Sequence, residues 1–287
     1  MYKTITVQVK PDSDLFEWCD RNAHCANNLY NAALFRERQL MFASKKTIHE
    51  LTDNELEVMS EVEVALQAMN KPKTVPASGM ISYTFLDAVM KYNDNPDYNA
   101  DGFPKHCAQN VLKCIIQDLK SYFESIKDWK EHPERYTGMP KLPRYKRKQG
   151  ITAFRSSNIE CKIHHTERGN YYCSLPKTKV TVPLGKKIPG KLMEVHIAPK
   201  NGIYQMTFVF DDGKDAPVCS ESERIIAVDP GVDNLMAVTN NCGLPCILFN
   251  GKPLKAINQL YNKQIANIMS ENTLGTTDRF VPTPHYQ

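Results

Sequence analysis

Apolar residues along this 287-residue chain change period twice, and that change limits which segments can be strand and which helix. Thr4 to Val9 alternate with period two, as a half-buried strand does. From Leu15 to about Leu40 the spacing turns helical, with Leu15, Cys19, Ala26, Leu29 and Ala33 near one face. The clearest helix carries Ala108, Val111, Ile115, Leu119, Tyr122, Ile126 and Trp129 at intervals of three or four and stops at His132-Pro133. Between these helices, Thr47-x-x-Glu50 and Thr52-x-x-Glu55 are capping boxes that predict helix starts, and Tyr92 to Gly102 is loop by composition. Short strands then return: Tyr171 to Leu175, Lys179 to Pro183, Met193 to Ile197 and Tyr204 to Phe210, with turns at Pro189-Gly190 and Asn201-Gly202. Strands at this spacing predict a small barrel or sandwich that the N-terminal strand completes. The helical block, residues 11–131, is then an insertion into a β-domain. Asp211 to Pro217 is a polar linker, and a third unit opens near Glu223.

Composition narrows the class without naming it. Hydrophobic residues make up 41% and charged residues 24%, a soluble globular balance, and the net charge of +4 permits a polyanionic partner without demanding one. The N-terminus lacks the apolar region of a signal peptide, and no run reaches the roughly 18 apolar residues of a membrane span, so no membrane partner is expected. The nine cysteines therefore read as small buried hydrophobes in a reducing cytoplasm. Cys242-Gly-Leu-Pro-Cys246 comes nearest to a metal motif, but three residues separate its cysteines and no second pair lies nearby, so no zinc site is expected. The six acids between Glu50 and Glu63 read as a solvated helix face.

Two features could carry chemistry. The third unit opens Arg224-Ile-Ile-Ala-Val-Asp229-Pro-Gly231-Val-Asp-Asn234-Leu-Met-Ala-Val-Thr239, read as a buried strand ending in a carboxylate, a glycine turn and a returning strand. A carboxylate so placed can leave the core and meet a hard cation such as Mg²⁺ or Mn²⁺, as metal-dependent phosphodiester hydrolysis requires. An aspartate that merely caps a hairpin satisfies the same pattern, and actin-like ATPases use a similar turn near phosphates. The second feature is Lys141-Leu-Pro-Arg144-Tyr145-Lys146-Arg147-Lys148, five cations in eight residues with no acid. Cations neutralise phosphates, Tyr145 could stack a base, and Arg155 extends the patch. A basic linker that only keeps the protein soluble is the competing reading.

Taken together, these stretches resemble the OrfB/TnpB family of insertion-sequence proteins, transposon relatives of type V CRISPR effector nucleases. Asn28-Leu-Tyr30-Asn31 is similar to the family's first long helix. Leu119 to Lys130, followed by Gly138-Met-Pro140-Lys-Leu-Pro143-Arg144-Tyr145-Lys146, is similar to its helix and Gly-x-Pro-x-x-Pro-x-aromatic-Lys segment. Ala227-Val-Asp229-Pro-Gly231-Val-Asp-Asn234 resembles its RuvC-I motif, and Asn250-Gly-Lys-Pro253 to Lys263 the stretch after it. The resemblance implies an α+β chain with a small, OB-like wedge β-barrel over residues 1–10 and 132–222. It further implies a helical recognition insertion over 11–131 and an incomplete RNase H-like RuvC unit over 223–287. It implies a guide RNA that pairs with target double-stranded DNA, the protein reading backbone shape. Asp229 would be the first catalytic, metal-binding carboxylate, with Mg²⁺ or Mn²⁺ as the ion. Lys141, Arg144, Tyr145, Lys146, Arg147 and Lys148 would be candidates for contact with the guide or target backbone, with Arg155 extending that patch by its place in the sequence alone.

The chain departs from that family after Asp229. A RuvC site takes a later Glu and Asp, and the family carries a zinc ribbon of Cys-x-x-Cys pairs. The 58 residues after Asp229 contain no Cys-x-x-Cys, and their last acids, Glu271 and Asp278, fall in what reads as loop from Ser270 onward. One carboxylate does not hold two metals, so the expectation is a binding protein that does not cleave alone, or one completed by a second protein chain. An actin-like phosphotransferase would need a second Asp-x-Gly hairpin and an adenosine-binding glycine loop, which the sequence lacks.

Overall fold

The computed structural model describes residues 1–69, 75–215, 224–231 and 233–273. The chain divides into two compact units, Met1–Asp215 and Ala216–Gln287. The first begins with strand β1 (Tyr2–Val9) and continues with helices α1 (Asp14–Ala43), α2 (Asp53–Ala68), α3 (Tyr83–Tyr92) and α4 (Lys105–Glu131). Strands β2 (Phe154–Ser157), β3 (Lys162–His165), β4 (Tyr171–Ser174), β5 (Thr181–Gly185), β6 (Lys191–Lys200) and β7 (Ile203–Asp211) complete it. The second unit holds β8 (Ile226–Pro230), β9 (Asn234–Asn240), β10 (Ile247–Asn250) and helix α5 (Lys252–Thr273).

Local chemistry accounts for the helix starts. Ser13 Oγ accepts the Phe16 N–H at 3.2 Å, and Asp14 and Glu17 oppose the positive end of the α1 dipole. At α2, Thr52 Oγ1 accepts the Glu55 N–H while the Glu55 carboxylate accepts the Thr52 N–H at 2.8 Å. The Glu50 carboxylate likewise accepts the Thr47 N–H at 2.9 Å, but that box opens only the single 3₁₀ turn Ile48–Glu50, because the cap of α2 follows two residues later. Among the described residues, no helix is long and apolar enough to cross a membrane.

The N-terminal strand joins a strand some 200 residues away. β1 pairs antiparallel with β7, Tyr2 opposite Asp211 and Val9 opposite Tyr204. The sheet order is β1–β7–β6–β2. β6 and β7 are joined by a two-residue loop, Asn201-Gly202, with φ of 50° and 78°. Positive φ at both positions suits the twist of a hairpin, and Gly202 adopts it without a Cβ penalty. Along β7, burial alternates residue by residue, sending Tyr204, Met206, Phe208 and Phe210 into a core shared with Trp18 and Ala26 of α1 and Ala108 and Ile115 of α4.

The expected barrel is not closed. β3–β4–β5 form a separate three-stranded sheet, so β1 and β2 remain the two edges of the first. Helices α1 and α4 pack against β2. Trp18 of α1 donates to the Pro176 carbonyl and packs on Phe154 of β2, and Asn110 of α4 donates to the Arg155 carbonyl. The short strands β2 and β3 were not singled out by periodicity, and four residues are too few to show an alternation.

In the second unit, β8 and β9 form an antiparallel hairpin with Asp229 opposite Ala237, and β10 adds to β9. The strand expected to be buried is exposed along its whole length, Ile226 at 67% and Val228 at 53%. Ile257, Leu260 and Tyr261 of α5 are exposed as well, so helix and sheet do not bury these apolar residues in each other. Residues Ser270 to Thr273, expected as loop, form the last turn of α5 and carry Glu271; Asp278 lies outside the described residues.

Candidate nucleic-acid interface

The basic segment has no regular secondary structure, yet α1 holds it by its backbone. Asn27 and Asn31 stand four residues apart on that helix, hence on one face. Asn31 donates to the Lys146 carbonyl at 3.1 Å and accepts the Lys146 N–H at 2.8 Å, while Asn27 donates to the Arg147 carbonyl at 3.0 Å. The Gly150 N–H closes a turn onto the same Arg147 carbonyl, and the Thr152 N–H reaches the Ala23 carbonyl. The Lys146 peptide groups and the Arg147 carbonyl are thus satisfied from within the protein and need no outside partner.

The structure separates the six predicted contact cations into two groups and sets Tyr145 apart. Lys141, Arg144, Arg147 and Lys148 are exposed and form no ion pair among the described residues. Lys146 and Arg155 are half-buried and line a cleft of about 400 Å³ with Tyr30, Asp118 and His196. There the Lys146 ammonium sits 4.4 Å from the centre of the Tyr30 ring. Burial and a 2.8 Å bond to Asp118 hold the Tyr30 hydroxyl in its protonated form. Arg155 donates to Cys114 Sγ at 3.2 Å and lies 3.9 Å from Glu194, so part of its charge is already engaged. Tyr145 is 45% exposed, with the Arg38 guanidinium 4.9 Å from its ring centre. One of its faces is covered and the other is open.

The charge pattern of the sequence does not point to Asn27 and Asn31, which hold the segment. The signal was present: two amides at helical spacing, in a residue type that favours caps and turns over helix interiors.

Asp229 lies in β8, exposed, and its cross-strand row runs to Ala237 and on to Leu248. Those neighbours are apolar, so the sheet brings no second carboxylate beside it. The nearest acid in sequence, Asp233, is bonded to Lys255, which holds its carboxyl below the usual range. Among the described residues, no group of three His, Cys, Asp or Glu could hold a metal ion. Cys242 and Cys246 instead bond to Asn241 and Thr239. A resident Mg²⁺ or Mn²⁺ pair does not fit this donor set.

No protein-family profile matches the chain, and no curated protein matches it. Two solved structures are similar to it at low scores. One is the Cas12f1–sgRNA–target DNA complex by cryo-electron microscopy, with 10% identity, TM-score 0.28, and coverage of 94% of this chain and 62% of that one. The other is a CRISPR–Cas12f ternary complex, with 11% identity, TM-score 0.27, and coverage of 92% and 53%. The chain spans less than two thirds of the length of either.

Proposed function

We propose that this chain is the polynucleotide-gripping portion of a transposon-encoded, RNA-guided DNA endonuclease of the OrfB/TnpB type. It takes a guide RNA and target double-stranded DNA as partners and binds them without cleaving alone. The observation that carries this reading is the strapped basic segment. Asn27 and Asn31 hold the backbone of Lys146 and Arg147 to α1, and Lys141, Arg144, Arg147 and Lys148 around that anchor are exposed with no ion pair among the described residues. Cations fixed in this way lose less freedom on meeting phosphates than those on a free linker would. A linker that served only solubility would not need its peptide groups held.

The β8–β9 hairpin with Asp229 supports a nuclease ancestry, read as the start of an RNase H-like unit. The apolar row around Asp229 favours binding over cutting. The experiment is to express the chain, sequence the RNA that copurifies, and incubate the complex with target duplex and Mg²⁺. A discrete RNA species with no nicking is expected. Absence of any discrete RNA removes the reading. Nicking that Asp229→Ala abolishes removes the binding-only part of it.

A further inference from the structure

The charge of this chain is concentrated in a place that the basic segment does not include. Between Cys161 and Lys191 there are seven Lys and Arg and one acid, Glu167, a balance of +6 against +4 for the whole protein. This stretch is built around the β3–β4–β5 sheet. Three of the seven cations have acids at hand: Lys177 and Lys179 share a shallow cleft with Asp14 and Glu17, and Lys191 lies opposite Asp211. Lys162, Arg168, Lys186 and Lys187 are exposed and form no ion pair among the described residues.

The two faces of this sheet differ. Cys173, Val182 and Leu184 are buried on one face, with Ile163 packed against them. The other face presents two cross-strand rows, His164–Tyr172–Pro183 and Lys162–Ser174–Thr181. The His164 and Tyr172 rings are already stacked, 5.0 Å between centres and 17° apart in plane, and His164 Nε2 lies 3.0 Å from Ser174 Oγ. At the turn end, Arg168 lies in the β3–β4 connection, and Lys186 and Lys187 follow Gly185, which pairs with Tyr171.

We infer that the outer face of the β3–β4–β5 sheet is a second binding surface, for single-stranded RNA, with an unpaired base stacking on the Tyr172–His164 pair and phosphates meeting Lys186, Lys187 and Arg168. An aromatic pair on a flat sheet face suits a base free of its duplex, whereas bases stacked inside a helix cannot reach it. Ser174 Oγ is already bonded to His164 Nε2 and the Lys162 carbonyl, and the exposed Thr181 hydroxyl in the same row offers a partner to a ribose 2′-OH, which DNA lacks. An anionic membrane would share the cations, but it would also want several protruding aliphatic side chains, and in the two rows of this face Pro183 alone is aliphatic. The inference rests on the polynucleotide role proposed above and adds a surface to it.

The test measures binding of the full chain to a short labelled polyuridine RNA, polythymidine DNA of equal length, a duplex DNA, and phosphatidylserine–phosphatidylcholine vesicles. Tyr172→Ala is expected to weaken RNA binding about tenfold, with Tyr172→Phe retaining it, while duplex affinity moves less than about twofold. Lys186→Gln with Lys187→Gln is expected to lower the salt slope for RNA by about 1.4. A clamp variant, Arg147→Gln with Lys148→Gln, serves as the comparison. If the clamp variant loses binding while the sheet variants bind RNA normally, the sheet inference is wrong and the proposed function survives. If the unsubstituted chain binds no polynucleotide, both fail. Loss of vesicle binding without loss of RNA binding also overturns the inference. Should Tyr172→Ala lower the melting temperature sharply, the exposed lysine pair decides the matter.

Discussion

The side-chain amide of Asn31 pairs with both backbone groups of Lys146, donating at 3.1 Å and accepting at 2.8 Å. This two-bond exchange imitates the pairing of one strand residue with another, but it is made from a helix to an irregular segment. It fixes the height and direction of Lys146, and with Asn27 on Arg147 it fixes two consecutive residues of the basic segment.

Replacing Asn31 with Ala removes both bonds at once. A net contribution near 1 kcal/mol per hydrogen bond predicts a loss of about 2 kcal/mol in stability. Polynucleotide affinity should fall about fivefold even at temperatures where the variant is fully folded, because the freed segment must be ordered on binding. Asn31→Asp keeps the acceptor and loses the donor, so it should lie between the two in stability. Urea unfolding and fluorescence anisotropy on the same preparations separate these effects. A loss of stability with unchanged affinity would show that the clamp does not serve binding.

The four exposed cations of the segment, Lys141, Arg144, Arg147 and Lys148, should act through salt dependence more than through sequence preference. Each phosphate contact on duplex DNA contributes about 0.9 to the slope of log affinity against log salt. Changing all four to Gln is therefore expected to lower that slope by about 3.6 if each meets a phosphate. Arg155→Gln should change it less, since that guanidinium already engages Cys114 and lies near Glu194. Titrations at several salt concentrations read both values, and a larger change from Arg155→Gln would reverse the grouping.

Much of the fold could be read from the sequence where a single rule governed. The Ala108-to-Trp129 stripe marked α4, Asn201-Gly202 marked the β6–β7 turn, and the aspartate–glycine pattern marked the β8–β9 hairpin. Legibility failed where the outcome depended on what packs against what. Whether β1 and β2 meet to close a barrel depends on what packs along β2, where Trp18 lies against Phe154 and Asn110 donates to the Arg155 carbonyl, and local spacing carries no trace of that. Ile226 and Val228 read as buried because they are apolar, yet their exposure depends on whether a second layer covers the sheet. At the basic segment the charges were visible, but the asparagines holding them lie more than a hundred residues away in sequence.

Glu37 gives a pH signature within the helical part. It is fully buried in α1, accepts the Ile81 N–H at 3.2 Å, and burial pushes its carboxyl up to about 8. In the unfolded chain it ionises near 4.5, so between these values the native state holds a proton that the unfolded state has released. Stability from this group is present in full below about 4.5, declines as pH rises, and is gone above about 8. Glu37→Gln keeps an acceptor for Ile81 without the ionisation. It should be more stable than the unsubstituted chain by on the order of 3 kcal/mol at pH 7, with little difference at pH 4. Thermal melts across that range test it, and a pH-independent difference would mean that the carboxyl does not titrate there.

A close approach at the end of the same helix separates collision from backbone strain. Gly79 has a φ of +73°, and a Cβ on it would lie 2.2 Å from the Leu40 carbonyl oxygen. That carbonyl already accepts the Ser44 N–H at 3.0 Å, so the helix end cannot easily yield. Gly169 has a φ of +79° with no atom within 4 Å of the same position. Gly169→Ala therefore incurs only the left-handed backbone cost of about 1 kcal/mol, whereas Gly79→Ala incurs that cost and the collision. The expected loss at Gly79 is about 3 kcal/mol or more, lowering the melting temperature by roughly 6–12 °C against 2–4 °C for Gly169→Ala. Equal shifts would mean that the segment before α3 moves away from α1 at little cost. In that case water would also reach Glu37, and its pH signature, which comes from burial, would shrink in the Gly79→Ala variant.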